Sequence, residues 1–430
     1  MNTVITIKDY PCGSGKTTSM IKNFQQDKKY LIILPYLSEV DRVIQQSELV
    51  SFVQPTTENI TISTKSESLK ELLLTGQNIA TTHNMYERLV PLAEEGLLED
   101  YSIIIDEVPE VVQSISTRSK TSIKEFYINS GYIEVEDTGL VLATDKWREK
   151  REEVADTLSS KILTYAETGC LYLLGEHMFV WAMPSKLLHS GKSVTIMTYK
   201  AAGSLLASYL NKLSIPHLIE TDKYKEEAFR EKAIELIDIQ NISSISKLKL
   251  THTGQQQGMK SKLYYSKLTG GLKNFRARQL KGLDLSNVLL TCKKDAWVKD
   301  NGKAGVFADG SKMFKKTNWI ANTTRGTNKY DHCSHLVYLY DQHVNPVLAR
   351  WVNNQSSMFN DAYALTELIQ WVWRSRIRRG EPITLYLPAP RMRGILLIGL
   401  KVGILKALGG FLRLLKKLGL TNVTLSASIN

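Results

Sequence analysis

The sequence predicts an α/β protein with two doubly wound parallel-sheet units, a small α+β insertion in the first, and a basic helical tail after the second. Three observations predict it. Aliphatic runs alternate with segments of helical spacing from Val4 to Asp106, the pattern that βαβ units write into a sequence. The alternation lapses, returns near Ser193, and begins afresh after Lys232. The chain, at 430 residues, is also longer than one hydrophobic core usually spans. The expected boundaries are a first domain at 1–220 with its insertion at 112–191, a second domain at 221–390, and a C-terminal extension at 391–430.

The first strand, Val4-Ile5-Thr6-Ile7, runs into Pro11-Cys12-Gly13-Ser14-Gly15-Lys16-Thr17-Thr18, which opens a helix expected from Thr17 to Gln26. A glycine-rich turn between a strand and a helix aims backbone N–H groups at a polyphosphate. Lys16 then reaches the terminal phosphates, and the Thr17 hydroxyl is placed to ligate Mg²⁺. The strict pattern wants glycine six residues before Lys16, where this chain has Tyr10; Gly13 and Gly15 keep the two glycines nearest the lysine.

Leu31 to Leu34 is a buried-strand pattern closed by Pro35, followed by a helix from Leu37 to Gln46. Ile60 to Ser63 reads as a strand, Leu69 to Leu74 as a helix, and Asn78 to Thr82 as a strand leading to a helix at Met85 to Ala93. The strand Tyr101 to Ile105 then delivers Asp106 and Glu107 to the carboxyl edge of the sheet, where ligands of open α/β sheets bind. Asp106 can hold Mg²⁺ and Glu107 can polarise an attacking water. Following a phosphate loop, this pair makes a nucleoside triphosphatase a better explanation than a solvated strand end.

The insertion reads as a hairpin at Tyr132 to Leu142, a charged helix from Lys146 to Ala166, and a second hairpin at Leu171 to Ala182. Ser193 to Lys200 restores the sheet and ends in Thr198, a hydroxyl suited to sensing the γ-phosphate. In the second unit, strands are expected at Ala233 to Ile239, Val288 to Thr291, Leu336 to Tyr340 and Ile383 to Leu387, with a helix at Ala362 to Arg379.

The net charge of +12 favours a polyanionic partner, and its distribution is more informative than its total. Residues 256–330 hold sixteen Lys/Arg against four Asp/Glu, and no acidic residue follows Glu381. Aromatic residues are interleaved in that basic segment, the composition of a strand-binding surface, and Lys315 and Lys316 are its candidate contacts. The four cysteines form no Cys-x-x-Cys pair, which argues against a disulfide framework or a zinc ribbon and fits a reducing cytoplasm, that of a host if the protein is viral. Lysines and an arginine interrupt the apolar stretch 394–420, so an amphipathic basic helix pair broken at Gly409-Gly410 is expected, with no membrane partner.

Four motifs occur in an order that resembles the superfamily 2 helicases, and in particular the stand-alone helicase-like proteins of bacteriophages. They are Pro-Cys-Gly-Ser-Gly-Lys-Thr at 11–17, Asp-Glu-Val-Pro at 106–109, Thr-Thr-Arg-Gly-Thr-Asn at 323–328, and Gln-x-x-x-Arg-x-Arg from Gln370 to Arg376. Leu34-Pro35-Tyr36, Thr81-Thr82-His83 and Thr198 resemble the lesser motifs between them. The resemblance implies two RecA-like domains over roughly residues 1–390, ATP and Mg²⁺ as cofactors, and a nucleic-acid strand as partner, DNA before RNA. It makes Gly326 and Thr327 nucleotide contacts, Thr82 and His83 nucleic-acid contacts, and Gln370 with Arg374, Arg376 or Arg378 the source of an arginine finger.

The chain departs from the family in three places. Only nine residues precede Tyr10, leaving no room in this sequence for an upstream adenine-reading glutamine segment. Asp-Glu-Val-Pro stands where many members have Asp-Glu-Ala-Asp or Asp-Glu-Ala-His. The second arginine of the last motif is Ile377, flanked by Arg376 and Arg378. If the Gln370 helix is regular, Arg374 and Arg378 share a face and Arg376 does not. The expectation is therefore an ATP-dependent helicase or translocase acting in DNA replication, for which a monomer suffices. A packaging-type DNA motor is the main rival and lacks its nuclease carboxylates here; a small-molecule kinase is the lesser one.

Overall fold

The computed structural model describes residues 4–56, 64–108, 110–115, 122–155, 158–310, 313–324 and 326–408. The chain divides into two units, residues 1–221 with 344–362, and residues 222–343 with 363–430. The expected strand at Ile60 to Ser63, the residues Pro109 and Arg325, and the Gly409-Gly410 break lie outside the described residues.

The strands of the first unit are β1 (Ile5–Asp9), β2 (Lys29–Leu34), β3 (Phe52–Val53), β4 (Asn78–Thr82), β5 (Tyr101–Asp106), β6 (Val112–Ile115), β7 (Ile133–Val135), β8 (Val141–Ala143), β9 (Leu171–Leu174), β10 (Met178–Ala182), β11 (Ser193–Thr198) and β12 (His217–Thr221). Seven of them form a parallel sheet in the order β12-β1-β11-β5-β2-β4-β3. The aliphatic run of β2 is buried from Tyr30 to Leu34, as an inner parallel strand covered on both faces requires. Register sets Ile196 of β11 beside both Ile7 of β1 and Ile105 of β5, so three strand ends carrying polar residues finish side by side. Each buried Ile or Leu contributes about 1.5–3 kcal/mol, which anchors those ends from below.

The insertion forms a three-stranded antiparallel sheet, β6-β10-β9, and the β7-β8 hairpin. The long charged helix expected at Lys146 to Ala166 is instead two short helices, Asp145–Glu149 and Ser160–Glu167. The first is a single turn that buries Trp147 and exposes its charges, and the chain turns again before Ser159 starts the second. Residues 344–362 join this unit although they lie far along the chain. Asn345 caps the helix Pro346–Trp351, and Trp351 is buried edge-on against Tyr172 and stacked near Tyr209.

The second unit contains β13 (Ile237–Gln240), β14 (Val288–Thr291), β15 (Asn318–Trp319), β16 (His335–Tyr338) and β17 (Ile383–Tyr386), parallel in the order β13-β17-β16-β14-β15. The strand expected from Ala233 begins only at Ile237. Ala233 to Leu236 instead finish the helix Lys223–Leu236, which the Asp222 side chain caps. The expected C-terminal extension also changes character. The helix Pro390–Leu408 buries Met392, Leu396 and Leu400, and a Cβ added at Gly399 would meet Leu365 at 2.5 Å, so this stretch is part of the unit's core.

Candidate active site

Gly13 and Gly15 adopt φ of 74° and 77°, a left-handed conformation that favours glycine, and between them turn the chain from β1 into the helix Lys16–Lys22. Ser14 N–H donates to Pro11 O at 3.2 Å and Ser19 N–H to Gly15 O at 2.8 Å, closing the loop against the helix start. Cys12 is half-buried and Thr18 exposed. Lys16 Nζ donates to Tyr10 O at 2.7 Å and Thr198 O at 3.2 Å, so the ammonium sits between the loop and the end of β11.

The two sequence-distant motifs meet here. Thr17 Oγ1 donates to Asp106 Oδ2 at 2.6 Å. Burial pushes the Asp106 carboxyl up to about 6; the Thr17 hydrogen bond opposes this, Glu107 adds to it, Lys16 lowers it and Glu39 raises it. Glu107 follows in the left-handed region at φ 54°, held by its N–H donating to Met197 O at 2.9 Å. Such backbone costs on the order of 1–3 kcal/mol for a non-glycine residue and clusters at functional sites. His83 Nε2 donates to Asp106 O at 3.0 Å, tying the end of β4 to the same carboxylate residue.

No ligand or metal accompanies these residues, yet the donor set suits a divalent cation. A hydroxyl and a buried carboxylate lie in contact beside a second carboxylate and an ammonium, and a hard cation favours oxygen ligands of this kind. Sequence reasoning missed Asp9, whose Oδ1 accepts Lys200 N–H at 2.6 Å and Oδ2 accepts Ala201 N–H at 2.9 Å. It pins the turn after Thr198, where Lys200 is left-handed at φ 59°. An aspartate directly before the loop, with a lysine two residues after a strand end, gave no distinctive spacing. Thr82 also lines a cavity of about 490 Å³ at the ends of β2 and β4, with Tyr36, Lys65, Asn84 and Arg88.

In the second unit, the helix expected to run from Ala362 to Arg379 is Ser357–Val372, followed by a 3₁₀ turn at Arg376–Arg379. Ser375 is extended between them at φ −95°, ψ −175°. The regular-helix premise therefore fails, and Arg374 and Arg378 share no helical face. Gln370 and Arg374 are buried, Arg376 is half-buried with Nε donating to Pro382 O at 2.6 Å, and Arg378 is exposed and donates to Asn328 Oδ1. Arg379 pairs with Asp331 at 2.6 Å. The turn is thus fastened to the segment holding Gly326, at φ 75°, and Thr327, whose hydroxyl accepts Lys329 N–H. Trp371 and Trp373 are both buried, against Tyr338 and Phe229 respectively. Lys315 and Lys316 are exposed just before β15, whereas Phe275, Phe307 and Phe314 of the basic segment belong to the core. Trp297 and Trp319, half-buried and stacked at 6.3 Å, leave aromatic surface near the end of β14, and Tyr265 of the same segment is exposed.

Residues 230–398 match a family model described as the YonV C-terminal Rossmann-like domain. The chain is 26% identical over 421 residues to the SPbeta prophage-derived uncharacterized protein YonV of Bacillus subtilis (strain 168), covering 91% of this chain and 98% of that protein. Among solved structures, one described as XPD_APO aligns with 14% identity and a TM-score of 0.47, covering 90% of this chain and 92% of that one. A DEAD box protein from the hyperthermophile Methanococcus jannaschii aligns with 12% identity and a TM-score of 0.30, over 93% and 86% of the two chains. The chain is therefore similar along nearly its whole length to a prophage-derived protein.

Proposed function

We propose that the protein is a nucleic-acid-dependent ATPase that uses ATP hydrolysis to move along or unwind a strand. The observation that carries this reading is the 2.6 Å contact between Thr17 and Asp106, which joins a phosphate loop to an Asp-Glu strand end at one sheet edge. Lys16 would exchange its carbonyl contacts for the terminal phosphates, a stronger charge-assisted interaction. Thr17 and Asp106 would hold Mg²⁺, which supplies Lewis acidity at the transferred phosphoryl group. Glu107 would orient the attacking water. Two features support a nucleic-acid partner: the net charge of +12 and its concentration in residues 256–330.

ATP turnover measured with and without single-stranded DNA or RNA tests this reading. Stimulation is expected, with loss in Lys16→Ala. Turnover in Lys16→Ala equal to wild type would remove the phosphate-loop assignment, and turnover indifferent to both polymers would leave an ATPase of another class.

A further inference from the structure

Arg42 lies outside every motif considered so far, on the helix Leu37–Gln46 that follows β2. Val40 and Val43, both fully buried, fix the rotation of that helix and turn Arg42 toward the phosphate-loop helix. Its Nη2 donates to Thr18 Oγ1 at 2.7 Å, its Nη1 pairs with Glu39 Oε2 at 3.2 Å, and its Nε donates to Gln46 Oε1 at 3.1 Å. The side chain is 29% exposed, and two of its five N–H donors have no partner among the described residues.

A helical pair with Glu39 alone would be an ordinary surface ion pair of small energetic consequence. The bond to Thr18 is different, because it crosses between two helices and ends on the residue that closes the phosphate loop. Along that helix Lys16 is assigned to the terminal phosphates and Thr17 to the Asp106 side. Thr18 lies a further 100° around that helix, and its hydroxyl meets Arg42 whereas that of Thr17 meets Asp106. Glu39 and Gln46 hold the guanidinium in place, so little side-chain entropy remains to be lost when an anion arrives.

We infer that Arg42 contacts the α-phosphate of a bound nucleoside triphosphate, making it a binding residue that distinguishes a nucleotide's proximal phosphate. The inference rests on the phosphate-loop reading of residues 11–18. Calorimetric titration of the full chain with MgATP, its α-thio analogue and its γ-thio analogue tests it. Arg42→Ala should bind ATP roughly 10- to 100-fold more weakly, the range for loss of a charge-assisted hydrogen bond. Wild type should also discriminate between ATP and one α-thio diastereomer, and Arg42→Ala should lose that discrimination while treating the γ-thio analogue as wild type does. Arg42→Lys should recover part of the affinity. Thermal melts without nucleotide measure separately what the lost bonds to Thr18, Glu39 and Gln46 cost the fold. Undiminished ATP affinity in Arg42→Ala, or weaker binding with the α-thio preference intact, overturns the assignment. Equal ATP affinity in wild type and Lys16→Ala would instead overturn the phosphate-loop reading on which it depends.

Discussion

Asp106 is a carboxylate whose burial works against its charge. Its folded-state value of about 6 stands above the ordinary 3.8, so the folded protein holds the proton more tightly than the unfolded chain does. Its contribution to stability is therefore complete below pH 3.8 and is lost as pH rises through about 6. The difference corresponds to about 3 kcal/mol at most. Asp106→Asn should accordingly raise the thermal midpoint of the nucleotide-free protein at pH 7.5, and this gain should vanish near pH 4, while Mg²⁺-dependent turnover is lost. Melting curves across that range would expose the error if the variant were less stable at pH 7.5. Glu107→Gln should behave differently, since it keeps the loop and removes only the polarising carboxylate. Nucleotide binding is expected to persist with turnover reduced on the order of 10²-fold or more; a variant that no longer binds ATP would make Glu107 structural.

The helix before the arginine turn ends at Val372, so at the scale of the element Arg374 and Arg378 stand in different surroundings. Arg374 is 4% exposed, so Arg374→Ala should cost stability, seen as a lower denaturation midpoint. Arg378 is exposed, so Arg378→Ala should leave the midpoint within about 0.5 kcal/mol of wild type yet lower turnover on the order of 10³-fold if it acts as a finger. The reverse pattern would return catalysis to Arg374. Periodicity showed where this helix lay and missed its end, because Trp373 to Ser375 carry no glycine or proline and the break depends on tertiary contacts such as Trp373 against Phe229. Long aliphatic strands were legible for the opposite reason: a run such as Leu31 to Leu34 has no stable place except an inner strand. The meeting of Thr17 with Asp106 was legible because the nucleotide chemistry expected of the two motifs demands fixed residue types in each. Asp9 and Arg42 were not, since a single charged side chain acquires its role only from the backbone or hydroxyl that folding brings to it.

For the molecule as a whole, the sequence disclosed two parallel sheets and a skewed charge, and the structure adds that residues 344–362 belong with the first unit. No composition shift marks that segment; Trp351 between Tyr172 and Tyr209 is a contact that only the folded chain reveals. Among the described residues no helix is long and apolar enough to cross a membrane, and no group of three or more His, Cys, Asp or Glu could hold a metal ion by itself. The excess of lysine and arginine predicts that affinity for single-stranded nucleic acid falls steeply with salt. Replacing Lys315 and Lys316 together should flatten the logarithmic slope by roughly one to two while basal ATP turnover stays unchanged. An unaltered slope would assign those lysines to solvation. The most direct test of the central claim is steady-state ATP turnover titrated with single-stranded DNA and, separately, RNA, for wild type and Lys16→Ala. Saturable stimulation of the wild type by at least one polymer, absent in the variant, is the predicted result; turnover that neither polymer changes, or that survives in Lys16→Ala, would contradict it.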